Sequence, residues 1–228
     1  MTENKVTLAI FDFDGTLTKG HLWVGIAKHH RKYKVRRLSL YAYLFSHLPF
    51  WLASKLRICS EEKNRSMWGQ DLPALFKDFS KDEAQRAFKW VVDNYFNHLM
   101  RPEVMEELNE HKKQGHKIVL LSGVFTDFLE VVGKTMGADY VVGTKLEIVN
   151  DVYSGHIIQP LCFGENKAKL LSEFIRNNHL EMDLKQSSAY ADSIFDSPVF
   201  QMVGNPVAVY PDKELLKMAQ ERKWRVID

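Results

Sequence analysis

Five short apolar runs constrain the fold of this chain most strongly. They cover residues 6–11, 118–121, 139–144, 188–191 and 207–210. Continuous apolar runs of this length are typical of strands that are buried on both faces. Helical patterns separate the later runs, at residues 102–111, 125–136, 166–178 and 212–222. This alternation predicts an α/β fold, with a Rossmann-like, doubly wound parallel sheet and helices on both faces.

One stretch interrupts this alternation. Residues 20–99 contain long helical patterns and few strand signals. We therefore predict a helical cap domain at residues 20–99, inserted after the first strand, and a core domain made of residues 1–19 and 100–228. A second local feature is the alternating pattern of residues 146–158 around Asn150-Asp151, which predicts a β-hairpin.

Composition excludes several classes of protein. The 228 residues have a formal net charge of +2, which does not indicate a nucleic-acid partner. The two cysteines, Cys59 and Cys162, form neither a disulfide framework nor a CxxC metal pair. Met1 to Lys5 are polar, so no signal peptide is expected, and a cytoplasmic location is predicted. The sequence does not indicate an oligomeric state.

The most apolar stretch, residues 38–56, has 19 residues and is just long enough to cross a bilayer. It also contains His47, Pro49 and Lys55, which disfavour a membrane-spanning helix.

The first candidate site lies directly after the first apolar run, at Asp12-Phe13-Asp14-Gly15-Thr16. Two carboxylates two residues apart repel each other, and a divalent cation removes this repulsion. Mg²⁺ prefers such oxygen ligands. Gly15 allows a sharp turn that presents backbone N–H groups to an anion. The alternative interpretation is an ordinary acidic turn.

Three further groups follow later strands or open a helix. Ser122-Gly123 offers a hydroxyl and an N–H to phosphate oxygens, although a simple turn also explains the pair. Lys167 begins a helix, where a nearby anion would offset its unfavourable position in the helix dipole; a solvent-facing lysine is the alternative. Asp192 is placed to complete the metal site, and Asp196 to orient a metal-bound water or Lys167.

These four motifs, in this order, resemble those of the haloacid dehalogenase (HAD) superfamily. Finer features resemble its subfamily IB, the phosphoserine-phosphatase-like branch. They are the cap inserted after the first motif, Leu121-Ser122-Gly123-Val124-Phe125, Phe163-Gly164-Glu165-Asn166-Lys167, and the segment from Val203 to Asp212. The resemblance covers nearly the whole chain.

The resemblance implies a Mg²⁺-dependent phosphatase. Asp12 would attack phosphorus and form an aspartyl-phosphate, and Asp14 would act as general acid and base. Ser122, Gly123 and Lys167 would bind the transferring phosphoryl group. Asp12, Asp192 and the backbone carbonyl of Asp14 would bind Mg²⁺.

The resemblance is incomplete at two positions. Phe195 stands where the branch has an asparagine, and His21 stands where phosphoserine phosphatases have a glutamate that holds the substrate ammonium. Arg65 resembles the position of a cap arginine that binds a substrate carboxylate, but an exposed helical arginine is the alternative. The substrate is therefore predicted only as a small organic phosphate, similar to phosphoserine or to histidinol phosphate.

A basic cluster precedes the apolar stretch. It consists of Arg31, Lys32, Lys34, Arg36 and Arg37. It suggests an alternative in which the protein is a peripheral lipid phosphatase at the inner face of an anionic membrane. The resemblance to the phosphoserine-phosphatase-like branch implies phosphatidylglycerophosphate as an example of such a lipid. A cap bundle with a basic outer face is the simpler explanation. An alternative of another class is a catalytically inactive binding protein on the HAD fold.

Overall fold

The computed structural model of the chain, described for residues 5–56 and 58–228, is built on a seven-stranded sheet. The strands are β1 (Leu8–Phe11), β2 (Lys117–Phe125), β3 (Tyr140–Val149), β4 (Val152–Ile158), β5 (Ser188–Ala191), β6 (Asn205–Val209) and β7 (Arg225–Ile227). Their order across the sheet is β4-β3-β2-β1-β5-β6-β7. All neighbouring strands are parallel except β3 and β4. The predicted α/β class is confirmed. The prediction that Met1 to Lys5 form no signal peptide lies partly outside the described residues, which begin at Lys5.

The structure corrects the predicted strands in two places. β2 was predicted to end at Leu121 but continues through Ser122 and Gly123 to Phe125. The pairing of β2 with β3 shifts register between Leu121 and Phe125, so the two candidate site residues lie in a local irregularity of the strand. The second correction is β7, a three-residue edge strand that is too short to have a recognisable pattern.

The β3–β4 hairpin is confirmed. Asn150 and Asp151 connect the two strands with φ angles of 50° and 63°. Consecutive residues with positive φ are the geometry that a tight two-residue hairpin requires, and asparagine and aspartate tolerate it better than most residues do.

The helices are α1 (Leu22–Tyr33), α2 (Arg37–Lys55), α3 (Glu61–Asp71), α4 (Lys81–Asn94), α5 (Pro102–Lys113), α6 (Thr126–Met136), α7 (Glu165–Asn177), α8 (Ser197–Phe200) and α9 (Lys213–Arg222). Short 3₁₀ segments lie at Leu72–Phe76, Phe96–His98 and Ile194–Asp196. The four helices that were predicted around the sheet correspond to α5, α6, α7 and α9. Proline at the start of α5 and a left-handed glycine after α6 explain these boundaries.

Side chains of β1 alternate between two apolar clusters. Ala9 and Phe11 face one side of the sheet, where α5 and α6 pack, and Leu8 and Ile10 face the other, where α7 and α9 pack. This period of two places helices on both faces, which is the doubly wound arrangement.

The predicted insertion contains α1 to α4, and it shares an apolar cluster with one face of the sheet. Phe76 and Phe88 pack edge-on or tilted against Phe125, at the end of β2. The chain enters and leaves this region side by side, because Lys19 N–H donates to the carbonyl of Leu99 at 2.9 Å. The division into core and cap domains stays a prediction.

The apolar stretch forms α2, and three of its residues, Leu40, Tyr43 and His47, are buried. None of the helices in residues 5–56 and 58–228 combines the length and the apolar character needed to cross a bilayer.

Candidate active site

The carboxyl ends of three neighbouring strands bring the candidate residues together. Phe11 of β1 pairs with Leu120 of β2 and with Tyr190 of β5. Asp12 therefore leaves the sheet near Ser122, in the irregular part of β2, and near Asp192, which follows the end of β5. The carboxyl edge of an open α/β sheet is the usual place for a ligand site, and here the register alone places three motifs at it.

The loop after β1 is shaped by Gly15. Its φ angle is +89°, and a Cβ atom at this position would lie 2.4 Å from Oδ2 of Asp192. Thr16 follows and donates its hydroxyl to Asp192 at 3.1 Å and to Asp12 at 3.4 Å. The glycine thus lets the loop approach Asp192 closely, and the threonine links the two carboxylates that follow β1 and β5.

Lys167 is the central cation of the site. It lies in the first turn of α7, is 5% exposed, and places its Nζ 2.8 Å from Asp12 and 2.5 Å from Asp196. Burial alone would lower the pKa of Lys167, but the two carboxylates outweigh burial and raise its pKa above the usual value. The lysine is therefore charged and buried, and the alternative of a solvent-facing lysine is wrong.

Three carboxylates surround this lysine. Oxygen atoms of Asp12, Asp192 and Asp196 lie within 4.8 Å of one another. Burial and the neighbouring negative charges raise the pKa of Asp192 to about 7, and burial raises that of Asp196 to about 6. One lysine does not neutralise three carboxylates, so the cluster has an excess of negative charge that a divalent cation would balance. The donor set consists of hard oxygen atoms, which fits Mg²⁺.

Asp14 does not join this cluster through its side chain. Its Oδ2 accepts the Leu22 N–H at 2.9 Å, at the start of α1, and its buried Oδ1 has no partner among the described residues. Burial, followed by the charges of Asp12 and Asp192, raises the pKa of Asp14 well above its usual value. A raised pKa makes it easier for a carboxyl group to carry and donate a proton, which suits a general acid.

Ser122 and Gly123 lie in the irregular part of β2. Ser122 is 1% exposed. The Gly123 carbonyl accepts a hydrogen bond from the Thr144 hydroxyl at 2.8 Å, which fixes the bulge. The same Thr144 oxygen accepts the Cys162 N–H at 3.2 Å, so β2, β3 and the segment before α7 are held together here.

The two candidate residues from the predicted cap also lie beside the site. His21 precedes α1, with its Nδ1 3.9 Å from Oδ2 of Asp14, and partial burial together with the nearby Arg65 charge lowers its pKa. The Arg65 guanidinium lies 5.5 Å from the ring centre of Phe195 and 2.7 Å from Glu61. Arg65 therefore lies close to Phe195, which occupies the position of an asparagine in the phosphoserine-phosphatase-like branch.

Two supporting residues were not recognised as such from the sequence. Asp212 accepts hydrogen bonds from the Ser193 hydroxyl at 3.0 Å and from the Ile194 N–H at 2.9 Å, and it also caps α9. It thereby holds the loop between Asp192 and Asp196. Arg101, just after the predicted insertion, donates to the Gly15 carbonyl at 3.3 Å. An aspartate before a helical pattern signals an N-cap, so the capping role of Asp212 could be found from the sequence. The contact of Asp212 with the Ser193–Ile194 loop and that of Arg101 with Gly15 have no local sequence signal.

The family model of haloacid dehalogenase-like hydrolases matches residues 9–201, which include every one of the four motifs. The chain belongs to this family. The predicted superfamily and the prediction of a hydrolytic enzyme are therefore confirmed.

Among curated relatives of this HAD-family chain, phosphoserine phosphatase SerB1 of Mycobacterium tuberculosis is 25% identical over 226 residues, covering 96% of this chain and 70% of that protein. A histidinol-phosphatase of Neisseria meningitidis is 28% identical over 153 residues, covering 66% and 68%. A Streptomyces azureus protein named for inhibition of morphological differentiation is 27% identical and covers 69% of this chain. The HAD-family chain spans only 56% of that protein's length.

Solved structures agree with the fold. A Bordetella pertussis protein of unknown function superposes on this HAD-family chain with a TM-score of 0.80, 19% identity and 99% coverage of both chains. A substrate-bound phosphoserine phosphatase superposes with a TM-score of 0.63 and 18% identity, covering 99% of this chain and 94% of that one. At these identities the likeness concerns the fold.

Proposed function

We propose that this HAD hydrolase is a Mg²⁺-dependent phosphatase that removes the phosphoryl group from a small organic phosphate through an aspartyl-phosphate on Asp12. The observation that carries the proposal is the buried ion pair between Lys167 and Asp12, inside a cluster of three carboxylates. A structural salt bridge does not require two further carboxylates with raised pKa values beside it, whereas a phosphoryl-transfer site requires both a nucleophile and balancing cations.

Each residue of the proposed site has a defined role. Asp12 attacks phosphorus, and its contact with Lys167 orients the attacking carboxylate. Asp14 protonates the leaving oxygen and then accepts a proton from water, which its raised pKa favours. Lys167, the Ser122 hydroxyl and backbone N–H groups at Gly123 bind the phosphoryl oxygens.

The metal site consists of Asp12, Asp192 and the backbone carbonyl of Asp14, and Asp196 positions Lys167. Mg²⁺ bound there would supply positive charge to the phosphoryl oxygens. The carboxylate oxygens of Asp12 and Asp192, which lie within 4.8 Å of each other, support the two side-chain ligands of this assignment. It predicts that Mg²⁺ raises the melting temperature of the protein, and that Asp192→Asn reduces this stabilisation.

The substrate is proposed as an amino-acid-like or histidinol-like phosphate, and the relatives named for these activities support this class. Arg65 is the candidate group for a substrate carboxylate, and His21 for the mouth of the site. The division into a core of residues 1–19 and 100–228 and a cap of residues 20–99 is part of the proposal, because both tentative residues come from the cap. A cytoplasmic location also remains a prediction.

Phosphate release from a panel of esters tests the proposal. The panel contains phosphoserine, histidinol phosphate and phosphatidylglycerophosphate, each with Mg²⁺ and with EDTA. We expect Mg²⁺-dependent turnover that Asp12→Asn abolishes, and a phosphorylated Asp12 peptide after acid quenching. If the wild type hydrolyses none of the esters faster than Asp12→Asn does, the proposal is refuted. An inactive HAD-fold binding protein would then be the explanation.

A lipid phosphate is the second candidate substrate. The observation that favours it is a row of exposed apolar side chains on one side of α2, at Leu38, Tyr41, Phe45, Leu48 and Leu52. Hydrolysis of phosphatidylglycerophosphate alone among the esters would support this candidate over the first.

A further inference from the structure

The outer face of α2 is unusually apolar. Among the described residues, fourteen large apolar side chains are exposed, and nine of them lie between Leu38 and Ile58. Leu40, Tyr43 and His47 face inward and are buried. The helix is thus apolar on its inner face, which the cap covers, and also on its outer face, which nothing covers in the described chain.

Five residues form the exposed stripe on this outer face: Leu38, Tyr41, Phe45, Leu48 and Leu52. Their spacing alternates between three and four residues, so they lie on one side of the helix. Leu38 is 86% exposed and Phe45 is 70% exposed. Water contact with a contiguous stripe of this kind is unfavourable, and such surfaces mark interaction sites.

The segment of the chain that carries the stripe has charges of one sign. Residues 15–60 contain nine lysines and arginines and no aspartate or glutamate, in a chain whose formal net charge is only +2. Arg31, Lys32, Lys34 and Arg37 are exposed where α1 gives way to α2. Arg37 and Lys55 are about five helical turns apart, so both stand beside the stripe, at its two ends.

This pattern decides between two occupants of the stripe. A second copy of the chain, packed α2 against α2, would bring two positively charged segments together with no carboxylate in either to pair with them. An anionic lipid surface would bind the cations and accept the leucine and aromatic side chains. We propose that α2 docks on an anionic bilayer surface through the stripe and these flanking cations.

The proposal concerns binding and is independent of hydrolysis. The test measures cosedimentation of the intact protein, without substrate, with vesicles of phosphatidylglycerol and phosphatidylcholine and with vesicles of phosphatidylcholine alone. We expect binding to the anionic vesicles only, weakened by high salt because the cations act by screened electrostatic attraction.

Matched variants separate the contribution of the apolar stripe from that of the flanking cations. Phe45→Glu should abolish binding, whereas Val149→Glu, which places the same charge at an exposed apolar residue of β3, should leave it unchanged. Leu38→Glu repeats the test at a second position if the first variant melts abnormally. Arg31→Gln combined with Arg37→Gln should weaken binding on the order of twentyfold, from about fivefold for each cation removed.

The control for charge is Lys134→Gln with Lys213→Gln, which removes two exposed lysines from α6 and α9. Equal weakening by the two double variants would overturn the proposal, because net charge and not the surface around the stripe would then control binding. Absence of binding to anionic vesicles would also overturn it. A third outcome would overturn it as well: sedimentation equilibrium shows a dimer, and Phe45→Glu dissociates this dimer while vesicle binding persists. The stripe would then be a self-association surface.

Discussion

Replacement of Lys167 by methionine tests the electrostatic basis of the site. The substitution keeps an apolar stem of similar length but removes the ammonium group that contacts Asp12 and Asp196. Both carboxylates are then buried with no cation beside them. Breaking a buried ion pair by removing one partner costs about 3–5 kcal/mol, and we expect a loss of this size in the free energy of unfolding at pH 8. For a domain of this size the loss corresponds to a fall of roughly 10 °C in melting temperature.

Lys169→Met is the matched control. Lys169 lies on the same helix, is exposed, and contacts Glu165 at 3.4 Å. Exposed pairs of this kind contribute about 0–1 kcal/mol, so the control should melt close to the wild type. Urea unfolding and thermal melting in EDTA measure both variants without bound metal.

The loss caused by Lys167→Met should also depend on pH. The pKa of Asp196 is already raised to about 6 in the presence of Lys167, and removing the lysine raises it further. Protonation therefore relieves the uncompensated charge, so the loss should be greatest above pH 7 and should shrink as the pH falls toward 5. Adding Asp196→Asn to Lys167→Met should restore part of the stability. Equal stability of Lys167→Met and Lys169→Met at pH 8 would refute this reasoning.

Two further predictions concern the turn after β1 and the cap. Gly15→Ala should lower phosphatase activity by more than about 100-fold, because the new Cβ would lie 2.4 Å from Oδ2 of Asp192. The control is Gly115→Ala, also at positive φ but with no atom within 4 Å of the new Cβ, and it should keep full activity in the same assay. Equal activities of the two variants would contradict the steric argument. In the predicted cap, Nε2 of the buried His30 lies 2.9 Å from the Leu75 carbonyl and must donate, so its Nδ1 accepts from Nδ1 of His29 at 3.1 Å. Protonation of His30 removes this acceptor, whereas protonation of His29 keeps the hydrogen bond but places a charge on a partly buried ring beside His30. Burial and the neighbouring His30 lower the pKa of His29 to about 4. Stability that is fully present above about pH 6.5 is therefore lost as the pH falls toward 4, by about 1–2 kcal/mol after allowing for the partly exposed ring. Urea unfolding of His29→Gln should show a smaller loss over this range than the wild type, and parallel curves for the two proteins would contradict the prediction.

Much of the site could be predicted from local sequence patterns. A short apolar run fixes a buried strand, and the polar residues that follow it must then lie at the carboxyl edge of the sheet. This argument predicts Asp12, Ser122 and Asp192 at that edge. Local signals also predicted the hairpin at Asn150-Asp151 and the helix that begins near Lys167, because turns and caps depend on residues that are close in sequence.

The tertiary structure decided what depends on distant residues. Lys167 and Asp12 are 155 positions apart, and only the packing of α7 against the sheet shows that they form a buried pair. β7 has three residues and no recognisable pattern, so its pairing with β6 defines it. The sequence of α2 is apolar around the whole helix, so its periodicity could not show which face is exposed. α2 packs against α3 and Leu72–Phe76, which bury one face of the helix. The other face stays in water, because these neighbours lie on only one side of α2.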